Sequence, residues 1–301
     1  MRFSIFTIIF VGILTSAFVA HGQMSSTNFE IQWDSVGIGG ADTSSSTNYE
    51  LRDTGGNSSI GNSSSTSYQV ASGYRAGIFD QIITFDVFAQ NNASERAATG
   101  LSGTTVTTST AGLSIGDLVV VVQDKGATQV SGIGRIASIG AGTIILDELK
   151  DSGTTPVFDG SNDYVYRLSG TSANLGDIVT SAISTSVIGF DVSADLDGGY
   201  VIQVYEDGNL RDGANDINDV ADTAVSTGSE EYGGRSSDTS LSGSTFDTQD
   251  TAFTTTYQDV ADESATSFES RNFVTLKACI SGTTPNGNYG HVLTFIVSGN
   301  Y

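Results

Sequence analysis

The chain has 301 residues, of which 34 are acidic and 12 are basic, and its net charge is −22 at pH 7. This charge repels phosphate backbones and anionic lipid surfaces, which argues against nucleic acid as a partner. Cys279 is the only cysteine in the sequence, so an intramolecular disulfide is excluded and packing alone must hold the fold together.

The first 22 residues have the pattern of a secretory signal peptide. Arg2 provides the positive start, residues 3–14 form an apolar run, and small residues occupy positions 20 and 22. The run is short for a membrane span, and a polar stretch follows at once. We therefore expect a secreted chain that begins at Gln23, has no transmembrane segment after signal cleavage, and is released or held at the cell surface by non-covalent contacts.

Residues 23–79 contain three repeat units of similar sequence. Ser-Thr-Asn-Phe-Glu-Ile at 26–31 recurs as Ser-Thr-Asn-Tyr-Glu-Leu at 46–51 and as Ser-Thr-Ser-Tyr-Gln-Val at 65–70. Each unit has the alternation of a short strand, followed by a turn rich in Gly and Ser. A unit of this size cannot bury its own apolar face, so the units either stack on each other or add to a larger domain. A solvated linker is the alternative interpretation.

The chain after residue 80 has the pattern of an all-β protein. Ile83, Phe85 and Val87 alternate with other residues, as expected for a half-buried antiparallel strand, and residues 200–205 do the same. The apolar run 118–122 predicts a more fully buried strand. Residues 116–168 contain several such strands between turns, so we expect them to form a small β meander or barrel inserted into the larger domain.

Four segments carry a resemblance to a known group of proteins: Leu210, 217–222, 228–233 and 276–289. Together with the Ser-Thr-Asn-Tyr repeats they resemble uncharacterised bacterial secreted surface proteins. The closing hairpin is similar to the end of WxL-type and spore-coat-type β-sandwiches, with Tyr289 placed as in a tyrosine corner. The WxL signature itself is absent, because Trp33, the only tryptophan, lies in the repeats; this departure argues against peptidoglycan attachment of the WxL kind.

The resemblance implies an antiparallel β-sandwich, Ig-like or WxL-like, built from residues 80–115 and 169–301 and interrupted by the inserted domain at 116–168. Such an insertion is physically inexpensive, because the entropy of closing a loop grows only slowly with its length. Two consecutive domains are the alternative. The group has no characterised activity that could be carried over to this chain.

The sequence contains few residues that could carry out catalysis. After signal cleavage His291 is the only histidine, and it is in phase with Leu293, Phe295 and Val297 of the last strand. This position favours a histidine at the rim of the core over a general base. A zinc site of several His and Cys ligands is excluded because the chain after signal cleavage has one histidine and one cysteine. We therefore predict a non-enzymatic protein.

The segment 206–222 is dense in carboxylate and amide oxygens, which are the ligands that calcium prefers. The spacing fits a known calcium loop only in part, because Arg211 occupies a position where such loops have Asp or Asn. The alternative is an acidic loop, with a short helical turn at 217–222, that simply stays hydrated. The ligands predicted for calcium are Asp212, Asp216, Asn218, Asp219 and Asp222.

Three functions are compatible with these patterns. The first is a secreted structural or adhesive protein of the cell surface, stabilised by calcium, whose partners are cell-envelope components or copies of itself. The second is a module that binds an extracellular carbohydrate or another polymer, for which Tyr164, Tyr166, Tyr200 and Tyr205 would form an exposed aromatic platform. The third is an outer-membrane β-barrel, although the strands lack regular apolar bands on one side.

Overall fold

The computed structural model describes residues 82–300, together with the backbone of six short strands closer to the N-terminus. The predicted signal peptide lies outside the described residues. The chain divides into two compact units, Met1–Asp80 and Gln81–Tyr301.

The first unit contains three antiparallel strand pairs, one in each predicted repeat unit. The pairs are β1 with β2, β3 with β4, and β5 with β6. Their bounds are β1 Ser25–Ser26, β2 Phe29–Glu30, β3 Ser44–Ser45, β4 Glu50–Leu51, β5 Gly61–Ser64 and β6 Gln69–Ser72. The side-chain alternation predicted for the repeats concerns residues outside the described set.

The second unit consists of sixteen further strands and a 3-10 helix at Asn92–Ser94. The first eight strands are β7 Ile83–Ala89, β8 Arg96–Ser102, β9 Thr105–Thr108, β10 Leu118–Gln123, β11 Val130–Gly140, β12 Thr143–Leu146, β13 Lys150–Asp151 and β14 Tyr164–Arg167. The remaining strands are β15 Ser184–Ala194, β16 Tyr200–Glu206, β17 Leu210–Asp212, β18 Asn215–Ile217, β19 Glu231–Ser236, β20 Gln258–Glu263, β21 Ser267–Cys279 and β22 Leu293–Gly299.

Two antiparallel sheets pack face to face as a sandwich. One sheet has the strand order β19-β21-β15-β7, and the other has the order β20-β16-β22. Phe190 and Val274 from the first sheet meet Ile202, Val204 and other buried side chains of the second sheet in one apolar core. The predicted all-β antiparallel sandwich is therefore confirmed.

A second sheet system closes on itself next to the sandwich. Its strands follow the ring β8-β9-β12-β11-β10-β14, with β14 pairing back to β8, and β13 adds to β11. Val106, Val119, Val121, Ile136 and Val165 are among the side chains that fill its interior. Strands β11 and β12 pair as a hairpin around residues 140–142.

The boundary of this small closed sheet differs from the prediction. Residues 80–115 were expected to belong to the sandwich, but β8 pairs with β14, and β9 pairs with β12. The closed sheet therefore begins near Arg96 and not at residue 116. The reason is that strands β10 to β14 cannot complete a ring without β8 and β9, whose short alternating pattern carries no mark of the sheet they join.

Strand β15 is buried on both faces, because the closed sheet packs against the side of it that faces away from the sandwich core. Leu118, Val120 and Val122 of β10 point toward this junction, whereas Val119 and Val121 point into the closed sheet. This explains why the run 118–122 is apolar at every position. A side chain at position 189 would not fit, since a Cβ on Gly189 would lie 2.6 Å from Cδ1 of Leu168.

Charged side chains also connect the two sheet systems at this junction. Arg271 of β21 has a side chain only 1% exposed, and it pairs with Asp147 at 2.8 Å and with Glu148 at 3.1 Å. Arg135 of β11 pairs with Asp191 of β15 at 2.7 Å. The closed sheet and the sandwich are thus joined by apolar contacts and by partly buried ion pairs. Among the described residues, no helix has the length and apolarity needed to cross a membrane.

Candidate functional site

A cleft of about 730 Å³ opens between the two sheets of the sandwich, along the side where β7 and β22 lie. Its apolar lining comes from both sheets and includes Val87, Ile188, Leu276, Leu293 and Phe295. Two loops, 171–178 and 285–290, supply a rim that contains Thr, Ser, Asn and Asp side chains. An apolar floor with a polar rim is the usual composition of a binding site.

Both strands that flank the cleft are the outermost strands of their sheets. The N–H of Gln90 donates to the carbonyl of Val187 in β15. Backbone groups of successive residues in an antiparallel strand point alternately to the two sides, so those of Phe85 and Val87 point away from β15, toward the open edge of the sheet. The same alternation applies to β22. The carbonyl of Val292 accepts a hydrogen bond from the N–H of Asp207, so the backbone groups of even-numbered residues face β16, and those of Phe295 and the other odd-numbered residues of β22 face outward. These outward groups have no backbone partner within residues 82–300.

His291 forms part of the cleft wall and is held by three groups behind it. Its Nδ1 lies 3.1 Å from the carbonyl oxygen of Gly208 and 3.3 Å from Oε2 of Glu206, and its Nε2 lies 2.9 Å from the hydroxyl of Tyr232. Because a carbonyl can only accept, Nδ1 carries the proton and Nε2 accepts from the tyrosine when the ring is neutral. Burial lowers the pKa of His291 and so favours this neutral form.

Glu206 is the most perturbed acid near the cleft. Burial, together with the charges of Asp219 and Asp207, raises the pKa of Glu206 to about 7. Glu206 is only 3% exposed, and its Oε2, although 3.3 Å from Nδ1 of His291, accepts no hydrogen bond from the described residues, because the Nδ1 proton is directed at Gly208. Burial also raises the pKa of Asp219, whose Oδ1 is likewise unpartnered. The cluster of Glu206, Asp219, Tyr232 and His291 can therefore gain or lose a proton near neutral pH.

The acidic segment 206–222 contains a short β-hairpin and no helical turn. Its central part is the hairpin β17–β18, in which Arg211 pairs with Asp216 in register and also contacts Asp207 at 2.7 Å. The helical turn predicted for 217–222 is wrong. Asn218 and Val220 instead exchange backbone hydrogen bonds with Tyr232 of β19, which keeps this stretch extended.

The five predicted calcium ligands lie at separate places around this hairpin. Asp212 accepts a hydrogen bond from the backbone N–H of Asn288, and Asn218 donates to Glu230. Asp216 accepts from Asn209, Asp219 points into the cluster behind His291, and Asp222 is exposed. Within the described part of the chain, no group of three or more acidic, histidine or cysteine side chains is arranged to hold a metal ion. Calcium binding stays a prediction.

Asp212 and Tyr289 shape the loop that forms one rim of the cleft. The carboxylate of Asp212 lies so close to Gly287 that a Cβ there would collide with it. Two residues later, the hydroxyl of Tyr289 donates to the carbonyl of Pro285 at 2.7 Å. This is the local backbone bond expected of a tyrosine corner, and it fixes the turn at 285–289 next to the cleft.

The four tyrosines expected to form an aromatic platform do not form one. Tyr166 and Tyr200 are fully buried, the first in the junction with the closed sheet and the second in the sandwich core. Tyr164 lies beside Tyr166, whereas Tyr205 pairs edge-on with Tyr257, at 4.9 Å between ring centroids. The platform prediction is wrong because Tyr164 and Tyr166 share the face of β14 that packs into the junction, whereas Tyr200 and Tyr205, five residues apart in β16, lie on opposite faces.

Sequence reasoning missed the role of Glu206, although a signal for it was present. Tyr200, Ile202, Val204 and Glu206 alternate along β16, and all four are buried on the same face. The phase of the strand could therefore have separated Glu206 from the hydrated acids of the same segment. The loop 171–178 carried no comparable signal, since its position depends on the closed sheet.

Comparison with known proteins gives no further information about the site. No protein-family model matches the chain, and neither the curated proteins nor the solved structures contain a significant match.

Proposed function

We propose that this protein is a secreted, non-enzymatic structural or adhesive protein of the cell surface, which acts by contact through the cleft between β7 and β22. The observation that carries this proposal is the cleft itself, whose apolar floor lies between two outermost strands. Within residues 82–300 the outer edge of β22 has no backbone partner, and the outer edge of β7 is unpaired at Phe85 and Val87 but bonded to Ser169 and Gly170 at Ala89. An unpaired edge offers backbone donors and acceptors to another strand, and an apolar cleft offers space for its side chains. The signal-like residues 1–22 support secretion.

The charge distribution also supports a contact surface at this edge. The chain has a net charge of −22, yet β22 contains no charged residue and no proline. Surface edge strands are normally protected from association by charges, prolines or bulges. The lack of these features in β22 favours an edge that is covered by a partner in the working protein.

Cell fractionation tests the proposal. We expect the mature protein in the cell-surface fraction of the cells that produce it, and we expect washing with a chelator to release part of it if calcium stabilises the attachment. Protein found only in the culture medium, with no binding when it is added back to cells, would count against the surface role.

Calcium is tested separately by thermal melting. A ligand that binds only the folded state raises the melting temperature. At a hundredfold excess over its Kd, it increases the free energy of unfolding by about 2.7 kcal/mol. Asp216→Asn and Asp222→Asn should abolish the shift if the predicted ligands are correct, whereas Asp197→Asn, at an exposed position outside the segment, should retain it. An unchanged melting temperature in millimolar calcium would remove calcium from the proposal.

Binding of an extracellular carbohydrate or another polymer is the second candidate function, and one observation favours it. Tyr257 is 57% exposed and packs edge-on against Tyr205, which lies on the outer face of the three-stranded sheet. Exposed tyrosines of this kind provide a large contact area with a polar tip. Glycan-array binding that is lost in Tyr257→Ala would place this function above the first.

A further inference from the structure

The cleft needs an occupant that brings side chains as well as a backbone. Two copies pairing only through their β22 strands would satisfy the unpaired backbone groups but would leave the apolar floor of the cleft uncovered. Peptides that add to a sheet edge bind through main-chain hydrogen bonds and place alternate side chains in pockets. The occupant expected here is therefore an extended strand with apolar side chains at every second position.

The repeat region of this same chain has that sequence pattern. Each unit places an aromatic residue two positions before an aliphatic one, as in Phe29 and Ile31 or Tyr49 and Leu51. Residues two apart in a strand point to the same face and lie about 7 Å from each other. The residue between them is Glu30 in the first unit and Glu50 in the second, so the opposite face of the strand is polar and suited to solvent.

The number of units favours a contact between molecules. The sequence contains three units, whereas the cleft described above has two edge strands, β7 and β22. Two edges cannot pair with three strands at once, so the sequence has more strands to donate than this cleft accepts.

We propose that a repeat strand of one copy adds to the β7–β22 edge of another copy and inserts its aromatic and aliphatic side chains into the cleft. This inference rests on the proposed surface role of the cleft and names its partner. The donating and accepting surfaces are different, so the contact is heterologous and repeats from copy to copy, which builds either a ring or an open filament. The product is an assembly of several copies at the cell surface.

Disulfide trapping between two full-length mature variants tests this contact. One variant carries Thr294→Cys, on the outer face of β22, and the other carries Glu30→Cys, Glu50→Cys or Gln69→Cys in the repeats, with a different tag. Cross-strand neighbours approach closely enough to form a disulfide. The native Cys279 is buried, so it does not compete. We expect a mixed disulfide between the two tagged chains for at least one of the three pairs.

Substitutions in the repeats provide the matched control. Replacing the aromatic and aliphatic residues of all three units by Ser should reduce the trapped product by about tenfold or more, because the apolar contacts in the cleft are lost. Replacing the polar-face residues Asn48 and Glu50 by Ser should leave trapping at Glu30→Cys and Gln69→Cys unchanged. Light scattering of the unmodified mature protein should show a mass that rises with concentration.

Three results would overturn the inference. A disulfide that forms only when both cysteines are in one chain would show that the molecule fills its own cleft. A disulfide between two Thr294→Cys chains without any repeat cysteine would show pairing of β22 with β22. No trapping in protein that still locates to the cell surface would refute this partner and leave the proposed function intact, whereas absence from the surface would refute the proposed function.

Discussion

Replacing Glu206 by Gln should change how the stability of the protein depends on pH. The pKa of Glu206 is about 7 in the folded protein, compared with an ordinary value of 4.5. Between these values the folded state binds more protons than the unfolded state, so stability falls as pH rises. The contribution of Glu206 is fully present below pH 4.5 and is lost as pH rises through about 7. Glu206→Gln keeps the neutral form at every pH.

The magnitude follows from the two pKa values. A change from 4.5 to about 7 corresponds to about 3 kcal/mol of stability, and a domain of this size changes its melting temperature by about 2–4 °C per kcal/mol. The melting temperature of Glu206→Gln, measured relative to the wild type at the same pH, should therefore be roughly 6–12 °C higher at pH 8 than at pH 4.5. His291 acts in the opposite direction, because its lowered pKa makes stability fall as pH decreases below 6.5.

The assay is thermal unfolding of both proteins, followed by circular dichroism from pH 4.5 to pH 8. Glu269→Gln is the matched control, since the side chain of Glu269 is 74% exposed and its substitution should leave the pH dependence unchanged. If the melting temperatures of Glu206→Gln and the wild type change with pH in the same way across this range, the burial of a protonated Glu206 behind His291 is refuted.

Three further substitutions test the packing of the second unit. Arg271→Ala should lower the free energy of unfolding by about 2–3 kcal/mol, because it leaves Asp147 without the bidentate partner that holds the two sheet systems together. A loss below about 0.5 kcal/mol in denaturant unfolding would argue against that role. Gly189→Val should destabilise by about 1–3 kcal/mol because it overlaps Leu168, and unchanged stability would mean that the junction is looser than the structure has it. Tyr289→Phe should lower the melting temperature slightly because its hydrogen bond at the turn is lost, while a variant as stable as the wild type would show that this bond contributes nothing.

Much of the fold could be predicted from alternation in the sequence. The pattern of Ile83, Phe85 and Val87 predicted β7, and the continuous run 118–122 predicted a strand buried on both faces. What alternation cannot provide is the partner of each strand. Strands β8 and β9 have ordinary half-buried patterns, and their place in the closed sheet is decided by pairings across tens of residues.

The candidate site could be predicted only in part. The position of His291 at the rim of the core followed from the phase of the last strand. The local hydrogen bond of Tyr289 followed from the resemblance of the closing turn to a tyrosine corner. The cleft did not, because it arises where two edge strands from opposite ends of the described region come to lie side by side. The density of acids in 206–222 pointed to a metal, whereas in the structure Arg211 and backbone groups engage several of these oxygens.

Contact through the cleft between β7 and β22 is tested most directly by the fraction of protein retained at the surface of cells that produce Ile296→Lys. This lysine places a charge on the outermost strand without removing its pairing to β16, and such charges block edge association. Gln203→Lys is the matched control, because Gln203 lies directly opposite Ile296 on the neighbouring inner strand. We predict that Ile296→Lys is released into the medium and that Gln203→Lys is retained. Equal retention of both variants would contradict a role for this edge.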